Sequence, residues 1–382
     1  MARLRRHSWH PLAMPQTHPQ GAGHPHGAGH PHAAFAPNAD YMYEHPRRVY
    51  WELTRACGLA CSHCRAEALH HRLPDELTRE EAFGVLDALA AATPKPVVIL
   101  TGGDPLERPD FWEILAHARG LGLHTDVAPS ATPKLTREAI MRLKQEGVGA
   151  MSLSLDGATP ETHDALRGIP GCYARTMEAA ADIAEAGIPL QVNTLVTADT
   201  LPEMAAIAEV AEQMKARRWS LFFLVTTGRG STLPQITPEQ TDELLSWSLA
   251  EADRRPYVIA TTEAPFARRL VLEKKAASGA PGRPRVAGAG MRDGNGIMFL
   301  SYKGEVMPSG FLPLVAGNVR EQDPIAIYQH SELFTKLRDV DAFGGRCGRC
   351  EHRRMCGGSR GRAFAATGDV MAEDPLCTYQ PA

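Results

Sequence analysis

No uninterrupted apolar run in the 382 residues approaches the length needed to cross a bilayer, and no apolar segment follows the basic start Met1-Ala-Arg-Leu-Arg-Arg6 as it would in a secretion signal. The chain is therefore expected in the cytoplasm, away from the membrane. A dominant charge is missing too: the formal net charge of −3 gives no basic field for nucleic acid. Cysteines number only eight and are clustered, which argues against the disulfide framework of a small secreted domain and for metal ligands in a reducing compartment. What remains is ordinary globular composition, 43% hydrophobic and 22% charged, at a length that accommodates two domains.

The most informative stretch is Thr54-Arg-Ala-Cys57-Gly-Leu-Ala-Cys61-Ser-His-Cys64-Arg65, directly after the apolar run Val49-Tyr-Trp-Glu-Leu53. Cys57, Cys61 and Cys64 are spaced C-x3-C-x2-C. Thiolates hold iron–sulfur cubanes, and three ligands leave one iron free for a molecule that is not protein. A structural zinc site wants a closed set of four, which here would have to recruit His63 or a distant residue.

Residues 1–45 are rich in His, Pro, Gly and Ala and show no apolar periodicity, so they are expected to be a disordered tail. Beyond them, short β-rich runs alternate with amphipathic helical stretches. Strands are expected at Val49–Leu53, Val97–Thr101, His124–Ala128, Met151–Leu155, Leu190–Thr197 and Trp219–Val225. Helix starts are marked by Thr78-x-x-Glu81, Thr200-x-x-Glu203 and Thr237-x-x-Gln240, with another helix from about Pro109 to Gly120. Such alternation predicts an α/β fold, a partial (β/α)6 TIM-like barrel, with functional groups on loops after the strands' C-terminal ends. The barrel is assigned to 46–235, a helix and Gly/Pro-rich junction to 236–296, and a small C-terminal domain to 297–382, opening on a hairpin with its turn at Lys303-Gly304.

Two further segments follow strand ends: Thr101-Gly102-Gly103-Asp104-Pro105, whose glycines let backbone approach a ligand, and Ser152-Leu-Ser154-Leu-Asp156-Gly157 with His163-Asp-Ala-Leu-Arg167 after it. Alternation places Ser152, Ser154 and Asp156 on one face. Asn193 interrupts an apolar strand, while Cys172 reads as a small buried residue. Near the C-terminus, Cys347, Cys350, Cys356 and Cys377 form a closed set of four, suited to a [4Fe-4S] cluster or zinc.

The first cysteine motif resembles that of the radical SAM superfamily. The resemblance implies a [4Fe-4S] cluster on Cys57, Cys61 and Cys64 that binds S-adenosylmethionine and cleaves it reductively to a 5′-deoxyadenosyl radical. It further implies that Gly102, Gly103 and Asp104 serve the cofactor amine, Ser154 and Arg167 its carboxylate, Asn193 its ribose, and His63 its adenine. No catalytic side chain is singled out. The tail resembles the SPASM-like extension, which carries auxiliary clusters. Ser309 and Arg360 stand near places where the fuller pattern has cysteines, so one auxiliary cluster is expected, on Cys347, Cys350, Cys356 and Cys377.

Cys61-Ser-His-Cys-Arg-Ala-Glu-Ala68 is similar to the start of the enzymes that modify heme d1 and siroheme-derived tetrapyrroles. The expected substrate is then a tetrapyrrole, with propionates paired to Arg283, Arg285 or Arg292. A SPASM-type peptide maturase is the alternative enzyme, and a non-catalytic iron–sulfur sensing protein the alternative outside catalysis. A reducing partner such as flavodoxin or ferredoxin is implied for either enzyme.

Overall fold

Alternating side chains build a sheet with one face for helices and one for a ligand. In β1 (Arg48–Glu52), β2 (Val97–Thr101), β3 (His124–Val127), β4 (Met151–Ser154), β5 (Leu190–Val196) and β6 (Arg218–Phe223), one set of residues is buried under the helices. Val49, Trp51, Val98, Leu100, Met151, Leu153, Val192 and Trp219 belong to this core, each fully or almost fully buried. Burying a side chain of this size contributes about 1.5–3 kcal/mol. On the opposite face Tyr50, Asp126, Ser152, Ser154, Gln191 and Asn193 are only half-buried. This polar face lines the inside of the partial barrel.

The structure, a computed structural model, describes residues 41–277 and 290–381. They fall in one compact unit, 38–382. All six expected strands are present within two residues of their expected ends, in sequential parallel order. A seventh parallel strand, β7 (Val258–Thr262), adds to β6. It falls in the segment read from sequence as helix and junction. The expected hairpin forms as β8 (Ile297–Leu300) and β9 (Glu305–Met307), with Gly304 at φ 86° in the turn. β8 also pairs in parallel with β1, so the tail hairpin continues the barrel sheet, and β10 (Gly317–Asn318) ends it.

Helix starts follow their sequence signals with one exception. Thr78 and Glu81 form a reciprocal capping box, as do Thr237 and Gln240. Thr200 and Glu203 do not: a 3-10 turn covers Leu201–Glu203, and the Glu203 carboxylate accepts from Ala158 N at 2.7 Å and Thr162 Oγ1 at 2.9 Å. Tertiary donors outcompete the local cap there. The His-rich 1–40 and residues 278–289, with Arg283 and Arg285, lie outside the described residues. Among the described residues no helix is long and apolar enough to cross a membrane.

Candidate active site

The loop after β1 carries the first cysteine set, held from three sides. Cys57 N donates to Leu69 O at 2.7 Å, closing the loop on itself. From the helix Pro160–Arg167, Arg167 O and Leu166 O accept from Ala60 N and Ser62 N at 3.3 and 3.0 Å. After β6, Arg229 Nε donates to Cys61 O at 2.9 Å and Nη1 to Ala68 O at 3.2 Å. Gly228 fits beneath because it lacks a side chain: a Cβ there would stand 2.6 Å from Arg65 O, at a φ of 53°. The Thr-Gly-Arg-Gly segment therefore clamps the cysteine loop, a part that its sequence did not reveal.

Cys57 and Cys61 are buried, Cys64 half-buried, in an apolar nest with Leu59, Ala68, Ala131 and Cys172. The eighth cysteine thus lies among the first three. Each sulfur of the triplet accepts a polar hydrogen: Cys57 from Leu59 N at 3.4 Å, Cys64 from Ala68 N at 3.4 Å, and Cys61 from Arg167 Nη1 at 3.7 Å. Donors aimed at sulfur suit thiolates. Burial pushes the free Cys57 thiol up to about 11, so it ionises at neutral pH only with a metal beside it.

The loop after β2 packs its glycines on this one. A Cβ on Gly103 would lie 2.4 Å from Ala56 O and one on Gly102 would lie 2.6 Å from Thr54 O. Their missing side chains serve loop-to-loop approach, with Gly103 O accepting from Ser130 Oγ at 2.9 Å. Asp104 is fully buried, and its carboxylate accepts from Leu106 N at 3.1 Å and Thr132 Oγ1 at 2.8 Å. It is tied up within the protein, so it would reach a cofactor amine only through its backbone. Burial pushes this carboxyl up to about 6 against those hydrogen bonds.

After β4 the alternation inferred from sequence ends at Ser154. Asp156, beyond the strand, is buried and accepts from Leu195 N at 2.7 Å, while its own N–H donates to His163 Nδ1 at 3.1 Å. Its other oxygen pairs with Arg167. Burial opposes charge on Asp156, yet Arg167 and the nearby histidines hold its carboxyl below the usual aspartate range. His63 is lowered to about 4, by burial first and by Arg167 next, so its ring is neutral. Its Nδ1 and the Arg167 Nε are buried without a hydrogen-bond partner. Ser154 and Asn193 are register partners on β4 and β5, both facing the lumen, and Asn193 Oδ1 accepts from Gln191 Nε2 at 2.8 Å.

The second cysteine set lines a small recess of about 30 Å³ together with Phe266, Arg346 and Asp374. Cys356 is buried and the other three half-buried. Among the described residues, no three His, Cys, Asp or Glu side chains stand grouped as a ready single-ion site. Four thiols around one recess make a closed donor set, which suits a polynuclear iron–sulfur group or a tetrahedral zinc ion.

Arg292 is buried, with Nη1 donating to Gly290 O at 3.0 Å, so it braces the chain and does not present its guanidinium to a propionate in the cleft. Glu263 was not anticipated: it follows β7 at a φ of 60°, and its carboxylate accepts from Ser359 Oγ of the tail. Burial, then the Asp293 charge, pushes its carboxyl up to about 8. No sequence signal marked it, because β7 itself was not recognised.

The Radical SAM superfamily model matches residues 51–211. An AdoMet-dependent heme synthase of Oleidesulfovibrio alaskensis is 38% identical over 88% of this chain and 88% of its own length. The chain belongs to the radical SAM superfamily. Another AdoMet-dependent heme synthase, from Methanosarcina barkeri, is also 38% identical, over 89% of this chain and 98% of its own. In fold, the chain is similar to the crystal structure of Streptococcus suis SuiB bound to precursor peptide SuiA, with TM-score 0.69 at 16% identity over 88% of this chain and 76% of that one. This radical SAM enzyme uses a [4Fe-4S] cluster and S-adenosylmethionine, which together supply a 5′-deoxyadenosyl radical for hydrogen abstraction.

Proposed function

We propose that this radical SAM enzyme acts on the carboxylated side chains of a heme-type tetrapyrrole: one hydrogen atom is taken from the side chain, the carboxyl carbon leaves as carbon dioxide, and the electron left over passes to a one-electron acceptor as the side chain becomes an alkene. The observation that carries this reading is the 38% identity to proteins named AdoMet-dependent heme synthase, across most of both chains. Cys57, Cys61 and Cys64 hold the cluster that meets S-adenosylmethionine. The backbone of Gly102, Gly103 and Asp104 takes its amine, and Ser154, Asn193 and His63 line its other groups. Arg167, already spread between Asp156 and Cys61, orients the cofactor carboxylate through its remaining donor capacity. Cys347, Cys350, Cys356 and Cys377 hold one auxiliary [4Fe-4S] cluster. A cytoplasmic location and a flavodoxin- or ferredoxin-type electron donor complete the reading.

The test is an anaerobic reaction of reconstituted protein with dithionite, S-adenosylmethionine and coproheme, followed by mass spectrometry of the pigment. Loss of carbon dioxide from the pigment is expected. If 5′-deoxyadenosine accumulates while coproheme and didecarboxysiroheme neither bind nor change mass, the tetrapyrrole reading fails and peptide substrates take its place.

A further inference from the structure

Two arginines approach the second cysteine set, Arg360 at the Cys347 sulfur and Arg268 at the carbonyl of Met355 beside Cys356, and among the described residues neither is in a salt bridge. Arg360 is fully buried. Its Nη1 donates to Val370 O at 3.1 Å and Ala372 O at 2.7 Å, and its Nη2 to Cys347 Sγ at 3.6 Å. The guanidinium lies 4.6 Å over the Phe343 ring, and its Nε is buried without a partner. Arg268 reaches from the helix Ala267–Ala277 and donates to Met355 O at 2.9 Å and Met291 O at 2.6 Å. Neighbouring arginines are paired differently: Arg346 with Glu373 at 3.0 Å, Arg362 with Asp374 at 3.1 Å, and Arg353 with Asp341 at 2.9 Å.

A buried cation without a counter-charge is costly to fold around. Neutral thiols would not relieve it. An anionic centre built on four thiolates would. Arg360 also stands four residues beyond Cys356, where the fuller SPASM pattern has another cysteine. In this chain a fixed positive charge aimed at a ligand sulfur takes the place of a further thiolate.

We propose that Arg360 and Arg268 are the counter-charges of the four-thiolate centre and raise its reduction potential. The proposal rests on the iron–sulfur reading of the tail given above. Reduction adds one negative charge to the cluster, so a nearby cation in low dielectric stabilises the reduced state more than the oxidised one. These are positioning residues for charge, with no contact to substrate implied.

The test uses the full chain with Cys57, Cys61 and Cys64 replaced by Ala, so that the tail centre alone gives a paramagnetic signal. Arg360→Gln and Arg268→Gln are introduced separately, the proteins reconstituted anaerobically, and midpoint potentials read by spin resonance during redox titration. Each Gln variant is expected to shift to lower potential at unchanged iron content, whereas Arg360→Lys, which keeps the charge, retains most of the parent value. An unshifted midpoint in iron-loaded Gln variants overturns the proposal and leaves the iron–sulfur reading standing. Stoichiometric zinc with no redox signal overturns both. Should Arg360→Gln fail to fold, Arg268→Gln, whose guanidinium sits on the carbonyl beside Cys356, decides the matter.

Discussion

At the residue scale, the pair Asp156–Arg167 is the hinge between structure and chemistry. Its side chains are 2% and 11% exposed. The sequence offered Arg167 as a candidate through the radical SAM resemblance, which implies an arginine at this place for the cofactor carboxylate, a role that the guanidinium fork suits. It did not display the partner, since Asp156 was assigned by alternation to the same face as Ser154, whereas the chain turns inward after the strand ends. Asp156→Asn leaves a buried guanidinium without its counter-charge, and we expect a loss of about 3 kcal/mol in denaturant unfolding of the apoprotein. The pH dependence has a defined sign. A depressed carboxyl pKa stabilises the fold above the ordinary aspartate range and ceases to as pH falls through the folded value. The difference between wild type and Asp156→Asn should therefore narrow in acid; a difference that is small at pH 7 or constant with pH would show that the pair is not what holds this corner.

At the scale of elements, strands buried on one face were legible and the exposed edge was not. β5 reads as a strand because Leu190, Val192, Thr194 and Val196 are all buried on one face. β7 lies at one edge of the sheet; Val258 is exposed and its four successors half-buried, so no period-two pattern marks it. Missing β7 meant missing Glu263 at its end. There three carboxylates, Glu263, Asp293 and Asp374, share buried surroundings with Arg362. Glu263 keeps its proton up to about pH 8 in the folded state, whereas an unfolded chain releases it near 4.3. Folding then retains a proton that the unfolded chain gives up, and stability declines as pH rises between those values. Glu263→Gln keeps an acceptor for Ser359 Oγ and removes the titration. Thermal unfolding of the anaerobic apoprotein should show the variant gaining on wild type from pH 5 to pH 8; parallel curves would mean that Glu263 is ionised in the native protein.

For the whole molecule, the question is whether the two cysteine sites stand or fall together. One sheet runs through both regions, since β8 pairs with β1, and Arg362 reaches from the tail to Phe223 O and Leu224 O at the end of β6. That continuity was not visible in sequence, where the tail reads as a domain beginning at its own hairpin. Pairings between β1 and β8 join segments nearly 250 residues apart, and no local pattern announces them. The ligand surroundings are nevertheless separate. The first triplet is packed with Leu59, Ala68 and Ala131, while the tail recess is bounded by Phe266 and by its own loops. The first cysteine loop is tied to the sheet through Arg65, which pairs with Glu52 of β1 and stacks on Phe299 of β8, but the cysteine-bearing segment itself is held by Gly103 N and Asp104 N of the loop after β2, by the helix Pro160–Arg167 and by Arg229. Replacing Cys57, Cys61 and Cys64 together by Ala should therefore take iron from about eight to about four per chain, abolish S-adenosylmethionine cleavage and leave the tail cluster in place. Iron analysis with visible absorption after anaerobic reconstitution measures this directly. Loss of all iron in the triple variant would mean that the sheet transmits the damage and that the two sites fold as one.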